Sequence, residues 1–163
     1  MARTAAWVAL GFLGLVAADH AHAQGVVMQR NLSLTLARTI AEGALAECQG
    51  KGFHTSVAVV DRSGQPLVIL RDEQAGPHTL EMSRRKAYTA RMFRTSTLEF
   101  QKRTEDPAFT PQREVTDMLA LGGGVPITIG SEVIGGVGSS GSSQTQDDAC
   151  AKAGIAKVAD QLK

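Results

Sequence analysis

The chain has 163 residues, 43% of them hydrophobic and 20% charged, and a formal net charge of +1. That size and balance suit one globular domain with a real core, and the near-neutral charge argues against a general nucleic-acid binder. The two cysteines, Cys48 and Cys150, are too few and too far apart to make a zinc site on their own.

The first residues read as an export signal. Arg3 gives a positive start, Ala5–Ala18 is a short apolar run, and Ala21-His22-Ala23 has the small-x-small form of a cleavage site. Cleavage is expected after Ala23, so that residues 1–23 are a signal peptide and residues 24–163 form the mature domain, periplasmic or secreted. Arg3 and Asp19 leave together, so the net charge is unchanged. The apolar run is too short for a membrane span and nothing later is long enough, so no stable membrane insertion is expected. In an oxidising compartment Cys48 and Cys150 can pair across the first and last helices. Two buried free thiols suit the same positions.

Gln24–Leu32 is expected to be an extended lead-in. From Ser33 a helix is predicted, because Leu36, Ile40, Ala44 and Cys48 recur every four residues, and Gly50-Lys51-Gly52 ends it. His54–Asp61 and Pro66–Arg71 form a hairpin around the Arg62–Gln65 turn. Pro77 suits the first turn of a second helix over His78–Phe93, followed by a shorter one at Ser96–Arg103. After the two prolines Pro107 and Pro111, Gln112–Leu119 is expected as a short helical turn. The Gly-rich stretch Gly122–Gly141 then carries strands at Pro126–Ile129 and Glu132–Val137, turning at Gly130–Ser131, and ends in a Gly/Ser corner. A closing helix spans about Thr145–Leu162, with Ser143-x-x-Gln146 and Thr145-x-x-Asp148 as rival capping signals. Hairpins separated by helices give an α+β fold with an antiparallel sheet, not a doubly wound parallel one.

Gly136-Val-Gly138-Ser-Ser-Gly141 matches the dinucleotide fingerprint G-x-G-x-x-G, but that site needs a further strand and an acidic residue about twenty positions on. Backbone N–H groups at the start of the following helix could still hold a carboxylate or phosphate, and a tight corner of small residues is the favoured reading. There is no G-x-S-x-G elbow, no H-E-x-x-H zinc motif and no C-x-x-C-H for covalent haem attachment. The densest chemistry lies on the second helix. His78, Met82 and Arg85 share one face, with Arg84, Lys86 and Tyr88 around them. A His or Met that ligates iron, beside Arg or Lys that holds propionates, is a non-covalent haem constellation. The same groups can hold a small organic acid, or form a solvated basic face or a subunit contact. As an acid–base group His78 would need a partner, for which Asp72, Lys86 and Tyr88 are candidates. His54, at the start of a strand, reads as a plain surface or edge residue.

Three motifs together resemble a known family: Ser83-Arg-Arg-Lys86-Ala87-Tyr88-Thr89-Ala90, Gly123-Gly124-Val125-Pro126-Ile127, and Ile134-Gly-Gly-Val-Gly138 running on to Gln146-Asp147-Asp148-Ala149-Cys150. With the SVAVVD strand, they resemble the GlcG/HbpS family of haem-binding and ligand-binding domains, which includes the C-terminal domain of PduO-type proteins. The likeness runs from Leu34 to Leu162. It implies an antiparallel sheet of about five strands flanked by helices in a profilin-like layer, and dimer-based homo-oligomers. It also implies haem binding in some members, tied to redox sensing or iron handling outside the membrane, and a place in organic-acid metabolism for others. The sequence departs from the commoner D-G-A-type segment at Asp72-Glu-Gln-Ala-Gly-Pro-His78, so His78 as an iron ligand rests on its own chemistry and position.

Three readings result. The first is an exported oligomer binding haem non-covalently, with His78 on the iron, Met82 as a second ligand, and Arg84, Arg85 and Lys86 on the propionates; Tyr88 and the loop Gly123, Gly124 and Val125 complete the site. The second is a binding protein or enzyme for a small carboxylate, using that glycine loop and Lys86. The third is a structural assembly module whose basic helix and glycines form subunit contacts.

Overall fold

The computed structural model describes residues 25–163; the expected signal peptide, residues 1–23, lies outside them. The first helix, α1, is Leu34–Gly50, capped by the Ser33 side chain, which accepts from the Leu36 N–H at 3.2 Å. Strands β1 (Ser56–Val60) and β2 (Pro66–Arg71) form the first hairpin, and α2 (His78–Phe93) and α3 (Thr97–Arg103) follow. Strands β3 (Gly124–Ile129) and β4 (Glu132–Ser140) form the second hairpin, and α4 (Gln144–Ala156) closes the fold. Ser143 caps α4 by accepting from the Gln146 N–H at 3.3 Å, so the earlier of the two capping signals is the one used. Among the described residues no helix is long and apolar enough to cross a membrane.

The sheet is antiparallel, in the order β2-β1-β4-β3. It has four strands where about five were expected, and the α+β class stands. Helices α1 and α4 pack together on one face and α2 covers the other. Because side chains alternate along a strand, Val57 and Val59 of β1 join Ile40, Ala44, Ile127, Val137 and Ala151 in the main core. Ala58 and Val60 face the other way, against Ala87 of α2.

That second layer is thin for a reason. A Cβ on Gly138 would lie 2.2 Å from the Ser83 carbonyl oxygen, and one on Gly136 would lie 2.4 Å from that of Ala87. The glycines let α2 lie with its backbone directly on β4. This corrects the reading of residues 138–140 as part of a corner: β4 stays paired with β1 through Ser139↔Val57 and Ser140↔Ser56, and the chain turns only at Gly141.

Other boundaries move too: β3 starts at Gly124 and not at Pro126, because Gly124 and Val125 pair with Gly138 and Val137 of the longer β4. The β1 ladder is shorter than His54–Asp61. The helical turn expected at Gln112–Leu119 is a 3-10 turn at Thr110–Glu114, because Asp117 takes a left-handed φ of 69° that no helix continues through. The closing helix stops at Ala156, where the N–H groups of Lys157 and Val158 bond three residues back, and a 3-10 turn at Ala159–Gln161 follows. Of the two states open to the cysteines, the structure holds the disulfide, Cys48–Cys150, which ties α1 to α4 across 102 residues.

Candidate functional site

A cleft of about 520 Å³ opens where the N-terminal half of α2 meets the α1–β1 loop, the β2–α2 loop and the β4–α4 corner. Its floor is a buried ion pair. Because α2 rests on the glycines of β4, the Lys86 side chain is trapped below the helix, with only 1% of the residue exposed. Its Nζ donates to Asp147 Oδ2 at 2.8 Å and to the Ser139 carbonyl oxygen at 2.9 Å. The other Asp147 oxygen accepts from the Ser142 hydroxyl at 2.7 Å and the Ser142 N–H at 3.1 Å. An ammonium has three donors, so one N–H of Lys86 remains. Burial pushes the Lys86 pKa down, and Asp147 opposes that shift. Gly123 leaves the space this needs, since a Cβ there would sit 3.0 Å from Nζ and 2.6 Å from the Ser139 oxygen.

The walls carry two imidazoles. His78 begins α2, exposed, with its ring over Gly76, and half-buried Met82 follows one turn later. His54 faces the same cleft beside Phe53, and its Nδ1 lies 3.1 Å from Asp72 Oδ1. Asp72 is itself held, accepting from Gln49 Nε2 at 2.9 Å and from the Gln74 N–H at 2.9 Å. Those two bonds, then the one from His54, bring its pKa down to about 2.

The structure brings His78, Met82 and Lys86 to one cleft, and does not bring the other predicted residues to its lining. Arg84 is paired with Glu81 at 2.7 Å and Asp117 at 2.6 Å, and Arg85 donates to the Met118 carbonyl oxygen. Tyr88 lies against Gly64 in the turn of the first hairpin. The Gly124 N–H donates to Thr97 Oγ1 at 2.8 Å, the Gly123 carbonyl accepts from the Ser139 N–H, and Val125 belongs to the main core. Sequence reasoning missed His54, whose partner Asp72 stands across the hairpin, and Asp147, 61 residues from Lys86. No local spacing signals either pairing.

The donor set suits an iron porphyrin: two imidazoles and a thioether for the metal, an ammonium N–H for a carboxylate, and Phe53 and Leu121 as apolar wall. The family model described as haem-degrading protein HbpS-like matches residues 32–156. The chain belongs to the HbpS-like family. Among its relatives, GlcG of Escherichia coli is 32% identical over 111 residues, covering 67% of this chain and 81% of GlcG. A 15.0 kDa protein encoded between dhaT and dhaS in Citrobacter freundii is 29% identical over 119 residues, covering 71% of this chain and 84% of that protein. Among solved structures, a double mutant of Streptomyces reticuli HbpS superposes with a TM-score of 0.79 at 33% identity, covering 94% of this chain and 97% of that one. The PduOC–haem complex superposes with a TM-score of 0.70 at 27% identity, covering 77% of this HbpS-like chain and 94% of its own.

Proposed function

We propose that this protein binds haem non-covalently in the cleft, with His78 as an iron donor, Met82 beside it, and the remaining Lys86 N–H as a propionate partner. The observation that carries the reading is the convergence of His78, Met82 and buried Lys86 on one cavity of about 520 Å³. The likeness to HbpS and to a haem-complexed PduO domain supports it. Bound haem would supply a redox-active iron, and the chain's contribution is to hold and orient it. Within the same proposal the protein is exported, residues 1–23 being removed, and works as a homo-oligomer in redox sensing or iron handling.

Haemin titration of the mature protein, followed by absorbance, tests this. A saturable Soret shift at a simple stoichiometry is expected, and His78→Ala should weaken or displace it. A featureless, non-saturating rise would mean adsorption only, and an unchanged spectrum and affinity in the variant would dismiss His78.

The Lys86–Asp147 floor favours one alternative, a small free carboxylate bound at the Lys86 N–H. Thermal stabilisation by organic acids and none by haemin would select it, since a ligand specific for the native state raises stability.

A further inference from the structure

His54 is built for more than a surface position. Its Nδ1 is tied to Asp72 Oδ1, and Asp72 is 5% exposed and fixed by Gln49 and by the Gln74 N–H. An ionised carboxylate only accepts hydrogen bonds, so in the neutral ring the proton sits on Nδ1, beside Asp72, and the lone pair is on Nε2. The side chain is 43% exposed and the residue lines the cleft. A carboxylate behind an imidazole is the arrangement that fixes ring orientation and tautomer in metal-bound histidines and strengthens the nitrogen as a donor.

The placement of the other donors sharpens the point. His78 and Met82 are four residues apart on α2, on one face of one helix, and so approach from the same wall. The two axial positions of a porphyrin iron lie on opposite faces of the ring. His54 comes from a different segment, the loop between α1 and β1.

We propose that His54, braced by Asp72, supplies an axial iron ligand in this cleft, with His78 rather than Met82 as the other. The proposal rests on haem being the ligand, and the test separates the two ideas.

Haemin is titrated into the wild-type protein and into His54→Gly, Asp72→Asn and Met82→Leu variants, and the spin state is read by absorbance and electron paramagnetic resonance. The wild type is expected to be six-coordinate and low-spin. His54→Gly should become high-spin and be restored to low-spin by added imidazole, a rescue that a merely structural role would not give. Asp72→Asn should keep the ligand but lose affinity by about 10–100-fold, the usual consequence of removing such a brace. A low-spin spectrum that survives His54→Gly, or that is lost in Met82→Leu instead, overturns the proposal while leaving haem binding intact. Failure of the wild type to bind haemin saturably removes the haem reading itself, and the His54 assignment with it.

Discussion

Lys86 and Asp147 are both about 1% exposed, so each has given up its hydration. Their attraction, the Ser139 carbonyl and the Ser142 donors offset that loss. Removing one member leaves a buried charge unanswered, which costs about 3–5 kcal/mol, whereas replacing both by apolar groups of similar volume is often near neutral. Asp147→Ala should therefore lower the unfolding free energy by about 3–5 kcal/mol, and Lys86→Met by a similar amount. The double change Lys86→Met with Asp147→Leu should recover most of it. Urea unfolding measures all three; additive losses in the double variant would show that the two side chains act independently.

The cleft floor depends on how closely α2 approaches β4, since that contact sets where Lys86 lies. Gly138→Ala would set a methyl 2.2 Å from the Ser83 oxygen and 2.6 Å from the Ala87 nitrogen, backbone atoms that cannot swing aside. The helix must lift, at about 1–3 kcal/mol or more, and the cleft floor should loosen with it. A lower melting temperature together with weaker haemin binding is the expected pair of results; a wild-type melting temperature would show that the layers are not in tight contact. Helices and β2 were legible in the sequence because apolar spacing, Ser caps and Pro77 all act locally: α2 and β2 fall on the expected residues. The end of β4 was not, since a glycine reads alike in a strand and in a corner until its pairing partner is known. The site divides the same way. His78, Met82 and Lys86 could be gathered by helical spacing alone, but the pairings of His54 with Asp72 and of Lys86 with Asp147 are made by topology. Arg84 and Arg85 are basic in sequence, yet Asp117 and the Met118 carbonyl occupy them elsewhere.

At the scale of the molecule, one cross-link joins the helix that starts the fold to the helix that ends it. A bridge closing a loop of about 100 residues restricts the unfolded chain by up to roughly 4–5 kcal/mol in the chain-entropy account. Replacing both Cys48 and Cys150 by Ala should lower stability by an amount approaching that, measured by unfolding with and without reductant. The native protein should lose stability in reductant and the double variant should not; insensitivity of the native protein would show that the bridge is absent in solution.

The same bond changes the connectivity of the chain. Residues 48–150 form a covalent ring that carries the whole sheet and α2, with the rest of α1 and the end of α4 as two tails. A single protease cut in the exposed Thr110–Glu114 turn opens that ring without dividing the molecule. The two walls of the cleft, and both halves of the Lys86–Asp147 floor, then remain parts of one particle.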